Sequence, residues 1–306
     1  MANQRPATVA VTGAAGMLGR EVSAAAPQWA AVVPLTRADG DLSVASEAMA
    51  GLSDAQPDAV VHCAAFTDVD GATADPESAW RGNAIATHNV ARACEELGAG
   101  LVHISTDYVF DGSSACPCLE STQPSPINVY GETKLAAERE AAKLERHLIV
   151  RTQWLFGPGG RNFIEAILDV ARSGRALRVV QDEHGHPTYT PDLARGIWRL
   201  LDSMLQGFGP RAAKEITGVV HLTNSGVCSR LEFAEAALRE AGLCGTEVEG
   251  IPSKQWPSPT PRPLNAVLET ELLDDLGVTP LRHWTEALRE YVVVLRERWA
   301  GRQPSE

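Results

Sequence analysis

Thr12-Gly13-Ala14-Ala15-Gly16-Met17-Leu18-Gly19 is the stretch on which the reading of this chain turns. It follows a β-branched run at residues 8–12 and precedes a helical pattern over residues 20–26. Glycines at such a junction let the backbone turn tightly, approach a pyrophosphate and pack the helix against the sheet. The helix N-terminus adds unpaired N–H groups and the positive end of its dipole. Gly13, Gly16, Met17, Leu18 and Gly19 are therefore assigned to the phosphates of a dinucleotide. A bare tight turn is the competing reading, and the position at the first strand–helix junction argues against it.

Working outward, strands are expected at residues 31–35, 60–63, 101–105 and 148–151, with helices at 84–97 and 130–144 between them. Strand–helix alternation of this kind predicts an α/β fold, a Rossmann-type doubly wound parallel sheet. Beyond Arg151 the pattern loosens: helices at 162–173, 191–201 and 230–241, strands at 178–180 and 219–223. Residues 253–265 carry four prolines and read as an extended loop, and residues 269–299 read as helix. The expected division is a dinucleotide-binding domain at 1–152, with returning segments near 178–200 and 218–224. A smaller, discontinuous C-terminal α/β substrate lobe occupies 153–306.

The bulk composition narrows the partners. A net charge of −12 leaves no basic footprint for nucleic acid or an anionic membrane, though a local pocket for one nucleotide diphosphate stays compatible with it. No apolar run is long enough to span a bilayer, and the N-terminus lacks the pattern of a secretory signal, so a cytoplasmic protein is expected. Cys116-Pro-Cys118 has no neighbouring His or Cys at zinc-site spacing and reads as a loop with two free thiols.

The residue ending the second strand selects the cofactor, since an acid there binds the ribose 2′-hydroxyl. Here Leu35-Thr36-Arg37 offers no carboxylate, and Arg37 suits a 2′-phosphate, which points to NADPH over NADH. A solvated arginine is the plainer alternative.

Tyr130-Gly131-Glu132-Thr133-Lys134 sets Tyr130 and Lys134 on one helix face. A free phenol has a pKa of about 10, and an ammonium held close lowers it. A phenol so tuned can protonate a carbonyl oxygen as hydride reaches the carbon. The same lysine can bond the nicotinamide ribose. Ser105-Thr106-Asp107 falls at the C-terminal end of an expected strand, where open α/β sheets bind ligands, and a hydroxyl there can hold the carbonyl beside the tyrosine. The glycine loop, Thr106, Tyr130 and Lys134 together resemble the short-chain dehydrogenase/reductase superfamily with its Ser/Thr–Tyr–Lys triad.

Longer segments narrow the resemblance. Ala64-Ala65-Phe66-Thr67-Asp68-Val69-Asp70, Ser105-Thr106-Asp107-Tyr108-Val109-Phe110-Asp111-Gly112, Val150-Arg151-Thr152-Gln153-Trp154-Leu155-Phe156-Gly157, Asn162-Phe163, Gly185-His186-Pro187-Thr188-Tyr189-Thr190 and Arg262-Pro263-Leu264-Asn265 look like the dTDP-4-dehydrorhamnose reductases. The similarity runs from about residue 10 to residue 265. It implies reduction of the 4-keto group of a dTDP-linked 6-deoxy-L-hexose, with Thr106, Asp107 and Trp154 at the substrate. Asn162 is a further candidate substrate contact, and Arg262, in the proline-rich loop, is a candidate bidentate partner for the diphosphate, with a surface arginine as the plainer alternative. It also implies Asp41 and Leu42 near the adenine, and Cys63, Ala64 and Ala65 along the cofactor's ribose and phosphates. Some members hold Mg²⁺ at a dimer contact. Glu21 matches one acidic position, but the sequence does not supply the rest, so no metal ligand is assigned; a homodimer is compatible with the family.

Related 4,6-dehydratases carry Asp-Glu after the threonine, an acid–base pair for eliminating water. Tyr108 stands in place of that glutamate, which leaves reduction as the better fit. Gln153, His184 and His186 depart from the family pattern and put the identity of the sugar, not the ketone chemistry, in question. An epimerase, or a non-catalytic dinucleotide-binding subunit of a synthetase, is the remaining alternative. The intact Thr106, Tyr130 and Lys134 weigh against the latter.

Overall fold

In β1 (Ala7–Thr12) the side chains alternate between two covered faces: Val9 and Val11 enter one apolar core, Ala10 another. The computed structural model describes residues 5–206, 217–273 and 276–300. Strand β2 (Ala30–Leu35), at the sheet edge, is only partly covered, whereas β3 (Ala59–His62), β4 (Gly100–Thr106) and β5 (His147–Thr152) repeat this two-sided burial, as buried parallel strands must. With Gly218–His221 at one edge, they form a six-stranded parallel sheet in the order Gly218–His221, β5, β4, β3, β1, β2.

The helices of the first half are α1 (Met17–Ala24), α2 (Ala45–Ala55), α3 (Val69–Ala74), α4 (Pro76–Trp80), α5 (Ala86–Leu97) and α6 (Val129–Ala141). After them come α7 (Phe163–Arg172), α8 (Thr190–Gln206), α9 (Arg230–Ala241) and α10 (Trp284–Ala300). α1 and α8 cover one face of the sheet, where Leu18, Val22, Leu193, Ile197, Leu200 and Leu201 meet Val9, Val61 and Val150. Trp198 on α8 donates its indole N–H to the Val22 carbonyl at 2.8 Å. Leu52, Val90, Cys94 and Ala141, from α2, α5 and α6, cover the other face. Each fully buried large aliphatic side chain contributes roughly 1.5–3 kcal/mol. A further core gathers Phe156, Ile164, Leu168, Phe233, Trp284 and Tyr291 from α7, α9, α10 and the segment after β5.

The strand order reverses at β1: β2 lies on one side, β3 to β5 on the other. The crevice beyond the carboxyl ends of β1 and β3 is thus the topological switch point, where such sheets bind ligands. Leu177–Val180 pairs with Val248–Ile251, outside the large sheet, whereas α8 packs on it.

One expectation fails outright. Residues 269–299 are not one helix: helix is confined to α10, with Leu281–His283 a short strand before it. Leu276 N–H closes one turn onto the Leu272 carbonyl, and Gly277 then takes φ +67°, which ends the turn. Pro280 follows and lacks the N–H a helix needs. Residues 274 and 275 lie outside the described residues. In the proline-rich stretch Ser253–Gln255 forms a 3₁₀ turn, and the remainder carries no regular element.

Candidate active site

At the switch point the loop after β1 turns through Gly13, whose φ is +65°. A Cβ there would stand 2.6 Å from the Ala64 nitrogen, so only glycine lets the loop lie against Cys63 and Ala64. The two segments assigned to the cofactor therefore adjoin. Gly16 caps α1 without any side-chain bond, and its own N–H donates to the Gly13 carbonyl at 2.9 Å. Met17, Leu18 and Gly19 form the first turn behind it. Arg37 is exposed and opens a single turn, Arg37–Asp39, that Thr36 caps. Asp41 is exposed within reach of Arg81 and Arg37, and its carboxyl is held low mainly by the Ser43 N–H. The Leu42 carbonyl accepts from Asn89 at 2.9 Å.

α6 begins at Asn128, whose side chain accepts the Gly131 N–H at 2.9 Å, and carries Tyr130, Lys134 and Glu138 at successive turns of one face. A Cβ on Gly131 would lie 2.1 Å from the Tyr108 carbonyl oxygen, so this glycine sets how closely α6 approaches the end of β4. Gly131→Ala is expected to destabilise the protein by about 1–3 kcal/mol, because backbone must move to admit the methyl. Chemical denaturation checks this; a loss below 0.5 kcal/mol would mean that the approach is adjustable.

The approach brings the buried Tyr130 beside the buried Thr106, whose hydroxyl acts to lower the phenol's pKa. Thr106 Oγ1 donates to Asp107 Oδ1 at 2.9 Å and accepts the Tyr108 N–H at 3.2 Å. Tyr108 and Tyr130 meet edge to face, with ring centroids 5.3 Å apart. Burial pushes the Tyr130 phenol above its ordinary value, and Asp107 and Tyr108 push the same way. The lowering expected of Lys134 is not the dominant effect: desolvation comes first, Asp107 and Tyr108 add to it, and the Thr106 hydroxyl opposes it. The consequence is chemical. A phenol that stays protonated is a proton donor, as reduction needs.

Lys134 is buried, and its Nζ donates to the Ile104 carbonyl at 2.7 Å and lies 3.4 Å from His103 Nε2. Burial lowers its pKa to about 8, against the opposing pull of Glu138. The folded value lies below the ordinary 10.5, so stability rises with pH between about 8 and 10.5 while the ammonium is lost. Activity that needs the ammonium is expected to fall as pH rises through about 8; a kcat/KM profile flat to pH 10 would remove Lys134 from the chemistry. His103 and His62, in register on neighbouring strands, are held neutral by burial. The Cys63 thiol is pushed up to about 12 by burial and is no nucleophile.

Two supports had no signal in the sequence reading. Glu138 receives Arg151 through Nε at 2.8 Å and Nη2 at 2.7 Å, and Ser105 at 2.6 Å, with both charged side chains buried. This joins α6, β4 and β5 directly beneath Lys134. Asn83, in a wide π turn at Arg81–Ile85, bonds both the N–H and the carbonyl of Phe66 and the Thr133 hydroxyl. It thereby ties the segment after Ala65 to α6.

Comparison with known proteins was made against this geometry. The family model described as the RmlD substrate binding domain matches residues 7–297. The dTDP-4-dehydrorhamnose reductase of Mycolicibacterium smegmatis is 37% identical over 94% of this chain and 85% of its own length. The chain belongs to the dTDP-4-dehydrorhamnose reductase family. It is accordingly an oxidoreductase of the extended short-chain type. A dTDP-4-keto-6-deoxy-D-glucose reductase of Streptomyces niveus is 36% identical over 92% of this chain and 94% of its own. A crystal structure of the Bacillus anthracis dTDP-4-dehydrorhamnose reductase in complex with NADP superposes with a TM-score of 0.87, at 30% identity over 95% of this chain and 100% of that one.

The far wall of this reductase's crevice differs from expectation in several places. Trp154 has φ +47°, in the left-handed region, and the Arg230 guanidinium lies 3.7 Å over its ring. On the indole's edge, a Cβ at Gly185 would be only 2.9 Å away. Trp154 is thus half-buried between protein groups rather than free to stack on a ligand. Asn162 is the cap of α7, and its amide also reaches Gly157, Gly160 and Tyr291, so the fold engages its polar atoms. Gln153 is buried: it donates to the Ala266 carbonyl at 2.7 Å and accepts the His186 N–H. His186 Nδ1 pairs with the Gly226 carbonyl at 3.0 Å, and burial lowers its pKa, while His184 is exposed. Both departures at Gln153 and His186 join loops behind the wall.

Arg262 forks onto Asp70 with both contacts at 3.1 Å and also donates to Ser258, pinning the proline-rich loop to α3. Thr73 and Thr260 meet at 2.7 Å, and Asn128 donates to the Pro261 carbonyl at 2.9 Å. Burial pushes Asp107 up to about 7, with Arg230 opposing and Glu183 adding to the rise. Around Glu21 the neighbours do not suit Mg²⁺: Arg195 faces it, and Asp192 and Glu290 are paired with Arg282. Among the described residues no three His, Cys, Asp or Glu side chains cluster as metal ligands, and no helix is long and apolar enough to cross a membrane.

Proposed function

We propose that this chain catalyses the NADPH-dependent reduction of the 4-keto group of a dTDP-4-dehydro-6-deoxy-L-hexose, with dTDP-4-dehydrorhamnose as substrate and dTDP-L-rhamnose as product. The observation that carries the reading is a buried Tyr130, its phenol pushed up by burial, beside Thr106 at the carboxyl end of β4. The names and NADP complex of its relatives support the same chemistry.

The cofactor would rest on Gly13, Gly16 and the first turn of α1, with Arg37, Asp41–Leu42 and Cys63–Ala65 along its length and Tyr130 and Lys134 at its reactive end. When bound it supplies the hydride. Thr106 orients the carbonyl; Tyr130 gives its proton to the oxygen that becomes the hydroxyl; Lys134 carries the compensating positive charge beside the phenolate. Tyr108 cannot act as the carboxylate base of an elimination, which separates this site from a dehydratase. Residues 1–152, completed by α8 and Gly218–His221, make up the dinucleotide-binding unit of this reading, and most of the remainder is the substrate lobe. We place the reaction in the cytoplasm, in keeping with six unpaired cysteines.

The test is NADPH consumption by purified protein with a panel of 4-keto nucleotide sugars, each run also with NADH. Turnover of the dTDP-L-hexose is expected; silence across the panel would sink the reading. The relative acting on dTDP-4-keto-6-deoxy-D-glucose makes that sugar the second member to try. In the same assay Arg37→Ala is expected to raise the KM for NADPH by about tenfold, the size of one charge-assisted contact, and to leave NADH unaffected. Equal loss for both cofactors would remove the 2′-phosphate from Arg37.

A further inference from the structure

Arg230 opens α9, with 18% of its side chain exposed. It lies flat on Trp154 and 5.3 Å from the Phe163 ring centre. Glu183, itself buried, approaches it at 3.6 Å, too far for a hydrogen bond, while the Glu183 carbonyl accepts the Arg230 backbone N–H at 3.1 Å. Among the described residues none of the guanidinium's five N–H groups has a hydrogen-bond partner within the chain. A guanidinium held in place by stacking, with its donors open to solvent rather than used within the chain, is free to meet a ligand. Its charge is felt at Asp107 and Tyr108, which places it at the mouth of the catalytic site.

We propose that Arg230, stacked on Trp154 and steered by Glu183, is the residue that binds the sugar hydroxyls of the nucleotide-sugar substrate and so sets which deoxysugar is accepted. The inference rests on the reductase reading above. Three features favour the sugar over the diphosphate. Glu183 offsets the charge of Arg230, so the wall is polar but close to neutral. Asp107, beside it, adds carboxyl oxygens that can accept from hydroxyl groups and would repel a phosphate. A phosphate set here would face Glu183, whereas a hydroxylated ring can accept from the guanidinium and donate to the carboxylate at once. The left-handed backbone at Trp154 is a strained conformation for a tryptophan, and strain of this kind persists where surroundings over-determine it.

The experiment measures calorimetric affinities of the NADP⁺-loaded enzyme for dTDP-L-rhamnose and for dTDP alone, in wild type, Arg230→Met and Glu183→Gln. Wild type is expected to bind the sugar nucleotide more tightly than dTDP. Arg230→Met keeps apolar contact with Trp154 and is expected to lose about tenfold or more in dTDP-L-rhamnose affinity with dTDP unchanged, the size of one or two charge-assisted bonds. Glu183→Gln, which preserves shape, is expected to lose several-fold in the same selective way. Unchanged NADP⁺ affinity in each variant verifies folding; where Arg230→Met fails that check, Glu183→Gln decides. Equal loss for dTDP and dTDP-L-rhamnose, no loss, or no sugar preference in wild type would each overturn the assignment. Turnover on the ketone panel, scored separately, judges the reductase reading without bearing on these binding ratios.

Discussion

Tyr130→Phe is expected to lower kcat by about 10²–10⁴-fold while the affinity for NADPH stays within about twofold. The ring is packed against Ala72, Ala79 and the edge of Tyr108, so phenylalanine keeps the shape and removes only the hydroxyl. Thr106 retains its bonds to Asp107 and the Tyr108 N–H, so the site should hold its form. The loss therefore falls on proton transfer in the transition state. Single-turnover rates in wild type and variant give the comparison. A variant within threefold of wild type would remove Tyr130 as the acid and turn attention to Asp107, a buried carboxyl pushed up to about 7.

The second large effect is on stability. Glu138→Ala is expected to cost about 3–5 kcal/mol, since it strands the Arg151 guanidinium in a dry site without its carboxylate. Arg151 over the Phe110 ring at 5.0 Å recovers only a fraction of this. The double variant Glu138→Leu/Arg151→Met should regain much of the loss, because burying no charge is easier than burying one. Glu138 also raises the pKa of Lys134, so any active Glu138→Gln protein should lose activity at lower pH than wild type. Denaturation midpoints and pH profiles decide. Single and double variants of equal stability would show that the pair is not electrostatically isolated.

Local pattern carried the parallel sheet well, because buried strands and the glycine turn leave marks in contiguous residues. Thr12–Gly19, Ser105–Asp107 and Tyr130–Lys134 were legible for that reason. What sequence could not show are the partners joined across long separations. Arg151 and Glu138 look like surface charges on paper, and Asn83 looks like a helix polar residue, until folding sets them under the site. Gly131 sits in a helix where glycine is unfavourable, and that was the one signal of its close approach to Tyr108. Nothing near Trp154 in sequence announces Arg230, seventy-six positions on, which covers its ring. The helix placed across residues 269–299 ignored Gly277 and Pro280, which punctuation alone should have flagged.

The loop pinned by Arg262 has a bearing on how the enzyme is born. Tyr130 and Lys134 leave the ribosome early, on a helix whose sheet contacts are mostly made by then. Asp70 and Asn128 wait for Ser258, Pro261 and Arg262, which are translated roughly 130 residues after Tyr130, a delay on the order of ten seconds at ~5–20 residues per second. During that interval the nascent chain exposes α3 and the start of α6 without their cover. A polypeptide released before residue 258 would carry the catalytic tyrosine and lysine on an unclosed rim, a candidate for proteolysis rather than for catalysis. The order of synthesis thus delays a closed site until Arg262 has been made.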